Sequence, residues 1–214
     1  MTDHLDKTRN QRNDFTKGNL DQVKHPDPFL FFSEWYRDAH EKNCADPHAF
    51  VLGSVSQDGQ PSSRIVYMRE LLEEGIVLYT NYLSRKGSQT DLNPKVSALF
   101  YWDCLERQVR MEGLIEKVDP ILSDDYFASR PRMSQIGAWA SEQSKEIPDR
   151  ATLDERVKFF EEKYPDVVPR PPHWGGYLIR PTYFEFWQGR LGRLHDRFCY
   201  EKTNEGWRIY RVSP

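Results

Sequence analysis

The segment Arg193-Leu194-His195-Asp196-Arg197 places two guanidinium groups and an imidazole at alternating positions. If the segment is an extended strand, Arg193, His195 and Arg197 leave one face of it, because strand side chains alternate with a period of two. Three cationic or titratable groups on one face repel each other unless an anion or a carboxylate balances them. The segment therefore indicates an anion-binding face. The alternative is a solvated edge strand whose charges discourage aggregation.

A second candidate for anion binding is the loop over residues 81–87, which carries the hydroxyl of Ser84 and the cations Arg85 and Lys86. The loop leads into a predicted short helix that ends before Asn93-Pro94. Free N–H groups at a helix start, a hydroxyl and two cations suit a phosphate monoester. The alternative is an N-cap followed by two exposed basic residues. The sequence has neither GxGxxG nor a Walker loop, which disfavours a dinucleotide or nucleoside triphosphate fold.

A third candidate set is Tyr126, Arg130 and Ser134, which recur every four residues. A continuous helix would place them on one face, but Pro131 favours a bent helix or a corner between two helices. Arg130 and Ser134 could then converge on a second anion, with the Tyr126 hydroxyl beside them. The alternative is a surface helix whose tyrosine packs inward.

Two pairs of residues complete the candidates. Arg64 and Arg69 lie on one predicted strand, and strict alternation puts them on opposite faces, so only one is expected in a given pocket unless a bulge intervenes. Gln108 and Gln143 each carry an amide that donates and accepts, which suits the edge of a heteroaromatic ring. Glutamines are also common simply as solvated side chains.

Composition limits the classes of partner. The chain has 214 residues, 38% of them hydrophobic, and a net charge of -3. With a pI of about 6.1, no global positive field recruits nucleic acid or an anionic membrane, so any anion must be held locally. No apolar run approaches the roughly 20 residues that span a bilayer, and the N-terminus lacks the apolar segment of a secretion signal. We expect a soluble, cytoplasmic protein without a membrane or nucleic-acid partner.

The three cysteines are Cys44, Cys104 and Cys199. They are odd in number and widely spaced, unlike the pairs of a zinc site or the even count of a disulfide framework. We expect reduced thiols and no metal site.

Hydrophobic periodicity predicts a mainly β fold with helices. Residues 1–25 are predicted to form a mobile arm and residues 26–214 a single domain. Strands are predicted over residues 50–56, 62–69, 75–80, 95–102, 107–118, 176–187, 193–200 and 207–212. Helices are predicted from Asp27-Pro28, over 119–126 and 134–140, and from a capping box at residues 152–155 to about residue 164. Hairpin-joined strands with helices between them predict an antiparallel barrel decorated by helices.

As an ordered set, the motifs of the chain resemble those of the pyridoxamine 5′-phosphate oxidase family from about Phe15 to Pro214. The motifs are Arg64-Ile65-Val66, Tyr79-Thr80-Asn81, Ser84-Arg85-Lys86, Glu106-Arg107-Gln108-Val109, Tyr126-Phe127, Ser129-Arg130-Pro131-Arg132, Ser134-Gln135-Ile136-Gly137-Ala138-Trp139, Trp174-Gly175-Gly176, Glu185-Phe186-Trp187-Gln188-Gly189, Arg193-Leu194-His195-Asp196-Arg197 and the ending Trp207-Arg208-Ile209-Tyr210-Arg211-Val212-Ser213-Pro214.

The resemblance implies an FMN-binding split β-barrel of the antiparallel Greek-key type with peripheral helices. It implies a homodimer with FMN at the subunit interface. It also implies oxidation of pyridoxamine 5′-phosphate or pyridoxine 5′-phosphate to pyridoxal 5′-phosphate, with dioxygen as electron acceptor and hydrogen peroxide as product.

The resemblance further implies a role for each matching position. The FMN phosphate would meet Arg64, Arg85 and Lys86. The rest of the flavin site would be lined by Tyr79, Thr80, Gln108, Gln143, Ser144, Trp187 and Arg197. The substrate phosphate would meet Arg69, Tyr126, Arg130 and Ser134. Arg193 and His195, the catalytic candidates, would lie over the substrate ring.

Two positions depart from the family pattern. Arg69 stands where lysine is usual, and arginine keeps the charge and two donors for phosphate but needs more room. Phe15 stands where the N-terminal arm often has tyrosine, and it can cover a pocket without donating a hydrogen bond.

Two other functions compete with the oxidase. Another FMN-binding split-barrel flavoprotein, such as a flavin reductase, would share the phosphate loop but not the substrate-phosphate set. A single-stranded nucleic-acid module would use aromatics and arginines, and the net charge of -3 argues against it.

Overall fold

The computed structural model describes Arg9 and residues 14–214, so much of the predicted arm at residues 1–25 lies outside the described residues. The chain forms two compact units, which are described separately. Unit 1 draws on the segments Met1–Pro47, Phe100–Arg110 and Tyr183–Pro214, and unit 2 on His48–Leu99 and Met111–Thr182. The division into an arm and a single domain stays a prediction.

Within residues 14–214, nine strands and five α-helices alternate along the chain. The helices are α1 (Pro28–Glu41), α2 (Arg85–Leu92), α3 (Pro120–Ser129), α4 (Arg132–Ala140) and α5 (Arg150–Lys163). The strands are β1 (Ala49–Val55), β2 (Pro61–Tyr67), β3 (Glu70–Leu72), β4 (Gly75–Asn81), β5 (Lys95–Trp102), β6 (Arg107–Lys117), β7 (Trp174–Gln188), β8 (Asp196–Thr203) and β9 (Gly206–Arg211). Sheet neighbours follow the order β2-β1-β5-β6-β7-β4-β3, and β8 pairs with β7 and β9.

In unit 2, the hairpin of β1 and β2 runs in antiparallel register from Ala49 opposite Tyr67 to Val55 opposite Pro61. Strand β5 pairs antiparallel with β1, and β4 lies between β3 and β7 in two further antiparallel pairs. Burial alternates along β1, as expected for a strand with one face against a core. The predicted hairpin is therefore confirmed.

The helices α3 and α4 of unit 2 meet at a corner. Helix α3 ends at Ser129 and α4 begins at Arg132, because Pro131 disfavours the helical conformation of Arg130, the residue before it. The backbone of Arg130 is accordingly extended, with ψ of 147°. A buried apolar cluster holds the corner against the start of β7 and consists of Phe127, Ile136, Ala138, Val168 and Trp174. The predicted corner is confirmed.

In unit 1, helix α1 begins as predicted. The side chain of Asp27 accepts a hydrogen bond from the amide of Phe29, and Pro28 occupies the first turn. Its buried aromatic face packs against two strands, with ring centroids 4.4 Å apart for Phe31 and Phe186 and 5.0 Å apart for Phe32 and Phe100. The part of β7 from Tyr183 onwards, β8 and β9 complete this unit in antiparallel pairs.

The cysteines differ from the sequence prediction. Cys44 and Cys104 form a disulfide whose Cα atoms lie 5.5 Å apart, and the remaining free thiol, Cys199, is buried. The expectation of three reduced thiols was wrong because the number and spacing of cysteines do not reveal which pair the fold brings together.

Three predicted boundaries were also wrong. Helix α5 is capped by Asp149, whose carboxylate accepts from the amide of Thr152, rather than by a capping box that starts at Thr152. Strand β2 ends at Tyr67, before Arg69, and β8 begins only at Asp196. The short strand β3 was not predicted, because three residues carry too little periodicity. Among the described residues, no helix combines the length and apolar character needed to cross a bilayer.

The first turn of α2 depends on a close backbone approach. A Cβ added at Gly87 would overlap the carbonyl oxygen of Tyr82. Gly87→Ala should therefore lower the free energy of unfolding by about 1–3 kcal/mol, as overpacking does. The matched control is Gly137→Ala in α4, where an added Cβ meets no atom within 4 Å and the helix should gain about 0.5–1 kcal/mol. Urea denaturation of both variants measures the difference. Equal stability of the two variants would contradict this account of the turn.

Candidate active site

Unit 2 contains a cavity of about 1090 Å³. It is lined by parts of β2 and β4, the start of α2, the corner between α3 and α4, the loop after α4 and the start of β7. Eleven of the predicted site residues line it: Arg64, Arg69, Tyr79, Thr80, Arg85, Lys86, Tyr126, Arg130, Ser134, Gln143 and Ser144. The volume is at the upper end of small-molecule sites.

The charge of this cavity is one-sided. Its lining includes five cationic side chains, and among the described residues that line it there is no aspartate or glutamate. The five cations are Arg64, Arg69, Arg85, Lys86 and Arg130. Cations gathered around one cavity without a carboxylate in its lining repel each other, so the cavity favours an anionic ligand.

Arg64 is held by neutral acceptors. Its Nη1 donates to the Ser54 hydroxyl at 2.6 Å and to the Leu52 carbonyl at 3.1 Å, and its Nη2 donates to the Ser62 hydroxyl at 2.6 Å. Both serines donate in turn to the buried Gln89 Oε1, at 2.7 and 2.8 Å, which directs their lone pairs at the guanidinium. Burial, and then the charge of Arg85, lower the pKa of Arg64. The guanidinium is thus fixed in place by neutral acceptors, and no carboxylate neutralises its charge.

Lys86 has a similar environment at the start of α2. Its Nζ donates to Thr80 Oγ1 at 2.8 Å, to Ser84 Oγ at 3.0 Å and to Gln143 Oε1 at 2.7 Å. Burial, and then the charge of Arg64, lower the pKa of Lys86 to about 8. Ser84 is the N-cap of this helix, so the positive end of the helix dipole adds to the same cluster.

Arg130 stands at the corner between α3 and α4, over an aromatic stack. The rings of Tyr79 and Tyr126 are parallel at 3.9 Å, and Trp174 stacks on them, 5.7 Å from Tyr79. The guanidinium of Arg130 lies 4.5 Å from the Trp174 ring centroid, a cation–π arrangement. Burial lowers the pKa of Arg130, Tyr126 opposes this, and the charge of Arg69 lowers it further.

One atom of this corner lacks a partner. The Nη1 of Arg130 is buried and has no hydrogen-bond acceptor among the described residues. A buried unsatisfied donor on a charged group costs more than about 1–3 kcal/mol, so this nitrogen is available to an oxygen of a ligand or of water.

Unit 1 holds the other five predicted residues: Gln108, Trp187, Arg193, His195 and Arg197. Arg197 pairs with the buried Glu185 through two bonds, Nε to Oε1 at 2.8 Å and Nη2 to Oε2 at 3.0 Å. Arg110 meets the same carboxylate at 2.9 Å. Burial alone would raise the pKa of Glu185, but the bonds from Arg197 and the charge of Arg110 outweigh it, and the pKa is lowered.

His195 and Trp187 form an aromatic group with Phe15. The ring centroids of Trp187 and His195 are 4.5 Å apart, and Phe15 meets both rings edge-on at 5.5 and 5.2 Å. The Nδ1 of His195 accepts from the backbone amide of Arg190 at 3.1 Å. Arg193 is exposed, whereas Gln108 on β6 is half-buried.

Comparison with known proteins is decisive for the family. The family model described as pyridoxamine 5′-phosphate oxidase matches residues 36–162, and the one described as the pyridoxine 5′-phosphate oxidase C-terminal dimerisation region matches residues 174–214. The pyridoxine/pyridoxamine 5′-phosphate oxidase of Burkholderia cenocepacia is 49% identical over 207 residues, which cover 95% of this chain and 97% of the relative. The chain belongs to the pyridoxine/pyridoxamine 5′-phosphate oxidase family. It is an oxidoreductase of that family.

Solved structures agree with the fold. PhzG from Burkholderia lata, solved in complex with tetrahydrophenazine-1-carboxylic acid, is 26% identical with a TM-score of 0.86, covering 92% of this chain and 100% of PhzG. An FMN-binding protein related to pyridoxamine 5′-phosphate oxidase, from Nostoc punctiforme, has a TM-score of 0.70 at 17% identity and covers 87% of this chain and 98% of its own. The predicted antiparallel split-barrel fold with peripheral helices is confirmed.

The structure corrects two predictions about this oxidase-family site. Arg64 and Arg69 line the same cavity rather than opposite faces, because β2 ends at Tyr67 and strict alternation no longer applies to Arg69. Arg193 does not share a strand with Arg197. It lies in a short 3-10 turn with φ of +62°, and β8 begins three residues later.

Sequence reasoning also missed residues that support the oxidase-family site. The ring of Trp174 makes a cation–π contact with Arg130, and Ser54, Ser62 and Gln89 form the hydrogen-bond network that orients Arg64. In a sequence, each of these residue types is equally compatible with ordinary packing or with a solvated side chain. Glu185 offered a clearer signal, since a carboxylate within the aromatic stretch at residues 183–187 of β7 requires a buried partner.

Glu185 is expected to stabilise unit 1. The carboxylate is buried while Arg197 and Arg110 stay partly exposed, so Glu185→Gln should lower the free energy of unfolding at neutral pH by about 1–3 kcal/mol. The folded-state pKa is lowered, so this stability is present above the ordinary carboxyl pKa and is lost as the pH falls through the folded value. Urea denaturation against pH tests both points.

The matched control is Glu201→Gln on β8, whose partner Arg208 is exposed and whose loss should cost under about 1 kcal/mol. Equal losses in the two variants would contradict a special role for the Glu185 cluster.

Proposed function

We propose that this protein catalyses the FMN-dependent oxidation of pyridoxamine 5′-phosphate and pyridoxine 5′-phosphate to pyridoxal 5′-phosphate, with dioxygen as electron acceptor and hydrogen peroxide as product. The observation that carries the proposal is the cavity of unit 2, lined by five cations without a lining carboxylate among the described residues. A flavin mononucleotide and a phosphorylated vitamin each bring one phosphate, and the cations form two groups.

The first group suits the FMN phosphate. Arg64, Arg85 and Lys86 influence one another electrostatically, since the charge of Arg85 lowers the pKa of Arg64 and that of Arg64 lowers the pKa of Lys86. They lie beside the N-terminus of α2, and a phosphate dianion there would offset both the desolvation and the mutual repulsion. The half-buried, charged Lys86 and Arg64 thus fit this cofactor.

The second group suits the substrate phosphate. Arg69 and Arg130 interact electrostatically, and Tyr126 and Ser134 line the same cavity with hydroxyl groups. The unpartnered Nη1 of Arg130 would donate to a phosphate oxygen. Arg69 keeps the positive charge in place of lysine, and it lies over the Tyr67 ring at 5.1 Å, which fixes its direction.

Bound FMN would supply the redox chemistry between the substrate and dioxygen. The protein's own residues then have to hold two phosphates and align the rings, since orientation supplies much of the rate in such a reaction. Thr80, Gln143 and Ser144 are proposed to line the flavin beside its phosphate, together with Tyr79.

We propose a homodimer with FMN at the subunit interface. The match of residues 174–214 to a C-terminal dimerisation region supports this, since that segment carries Trp187, Arg193, His195 and Arg197. In the proposal, Gln108, Trp187 and Arg197 complete the flavin site, and Arg193 and His195 meet the substrate ring. The Glu185 pair would present the Arg197 guanidinium in a single orientation.

Another FMN-binding split-barrel flavoprotein, such as a flavin reductase, would require only the first group of cations, which suits the FMN phosphate. The second group, with its unpartnered Arg130 donor, has no task in such an enzyme and favours a phosphorylated substrate.

Aerobic turnover with peroxide detection tests the activity. The purified protein with FMN should produce hydrogen peroxide and pyridoxal 5′-phosphate from pyridoxamine 5′-phosphate, and far less from pyridoxamine, which lacks the phosphate. Arg130→Ala should lower kcat/KM for the phosphorylated substrate by about 10- to 100-fold, the worth of a hydrogen bond to a charged group. The same variant should leave the rate with pyridoxamine nearly unchanged. Equal rates with both substrates in the unaltered protein would refute the second phosphate site.

The affinity of the FMN-free protein for FMN should fall as the pH rises above about 8. Lys86 is protonated below its pKa of about 8, and above it the lysine must take up a proton to bind the phosphate dianion. Linkage then lowers the affinity by up to about tenfold per pH unit until the pKa of the bound lysine is reached. Quenching of flavin fluorescence in titrations at pH 7 to about 9.5 measures it.

Two controls test whether Lys86 causes this fall in affinity. Riboflavin has no phosphate, so its affinity should not show this fall, and Lys86→Met should flatten the dependence for FMN. A fall that persists unchanged in Lys86→Met would remove Lys86 from the phosphate site.

A further inference from the structure

The backbone that precedes β8 determines which nitrogen of His195 carries the proton. The Nδ1 of His195 lies 3.1 Å from the backbone nitrogen of Arg190. A peptide N–H can only donate, so Nδ1 must accept and cannot carry a proton in this arrangement. We infer that His195 is the neutral tautomer protonated at Nε2, and that it serves as a fixed hydrogen-bond donor rather than as a base.

The turn between β7 and β8 creates this contact. Gly192 and Arg193 both have left-handed backbones, with φ of +64° and +62°, and two such residues in succession reverse the chain so that position 195 returns to position 190. A left-handed conformation is strained for arginine. The structure retains it, and with it the bond between Arg190 and His195.

The surroundings of His195 disfavour a second proton on its ring. Phe15 and Trp187 pack against the imidazole. Burial and the charge of Arg193 lower the pKa of His195, and the charge of Asp196 acts in the opposite direction. The Asp196 carboxylate is already engaged by the amide of Leu20, at 2.9 Å, and by the guanidinium groups of Arg190 and Arg211. An imidazolium would also have to give up the bond from Arg190, since both of its nitrogens donate.

The consequence concerns the role of His195 at the substrate ring, and it rests on the proposed function. In the neutral tautomer Nε2 already carries its hydrogen and has no lone pair for a proton. His195 can therefore donate a hydrogen bond from Nε2 to an acceptor atom of the vitamin ring, but it cannot remove a proton from the substrate through Nε2. The assignment changes what a conservative substitution at this position should do.

Two amide substitutions separate a donor from a base. Glutamine places an N–H donor near the position of Nε2 but has no basic nitrogen, whereas asparagine places an acceptor near Nδ1 and does not reach the Nε2 position. His195→Gln should be slower than the unaltered enzyme but about tenfold faster in kcat/KM than His195→Asn, a difference of about 1.4 kcal/mol. Equal and severe losses in the two variants, both with full FMN content and unaltered denaturation midpoints, would overturn the donor role.

The tautomer is measured without reference to turnover. The chain has six histidines, so the signal of His195 is identified as the one that vanishes in His195→Gln. In protein with ¹⁵N-labelled histidine, two-bond proton–nitrogen correlation spectra should show that ring in the Nε2–H form. If the signal lost in His195→Gln is instead that of the Nδ1–H form, or of the imidazolium at neutral pH, the assignment is refuted. Absence of oxidase activity in the unaltered protein would refute the proposed function instead, and the spectrum would still decide the tautomer.

Discussion

Positive charge without a counter-charge is the constraint on which the cavity of unit 2 depends. Five cationic side chains line it, and no carboxylate of the described chain is among the lining residues. Such a group is unfavourable in the free protein, because Arg64, Lys86 and Arg130 are partly desolvated and like charges repel. The structure keeps the cations in place with neutral partners: serine hydroxyls for Arg64, Thr80, Ser84 and Gln143 for Lys86, and an aromatic ring for Arg130. Orientation is thereby fixed while the charge stays available to a ligand.

Two clusters of unit 1 pair their cations with carboxylates instead. Arg197 and Arg110 share the carboxylate of Glu185, and Arg190 and Arg211 share that of Asp196. A guanidinium neutralised by a buried carboxylate has little attraction left for a phosphate, but it gains a single direction from two-point bonding. The cavity of unit 2 and these two clusters of unit 1 therefore use the same residue types differently. The cavity offers charge, whereas the clusters offer donors of fixed direction.

Much of the fold could be predicted from the sequence. The hairpin of β1 and β2, strands β5 and β6, and the beginning of α1 at Asp27-Pro28 follow from alternation, turn residues and capping, which are local interactions. The errors lie where a local rule is interrupted. Arg69 follows the end of β2, and the region around Arg193 leaves the extended conformation for a left-handed turn. Neither interruption has a local signal strong enough to override the pattern of alternation.

The sequence by itself determined the family, through motifs from the phosphate loop to the C-terminus, and with it the residue types of the candidate site. It also determined the corner at Pro131, because proline restricts the residue before it. Only the tertiary structure decided that Arg64 and Arg69 share a cavity, that Arg130 stands on Trp174, that Cys44 pairs with Cys104, and that His195 accepts from Arg190. Each of these depends on how chain segments meet in space, and residue spacing carries no information about such meetings once a strand or helix has ended.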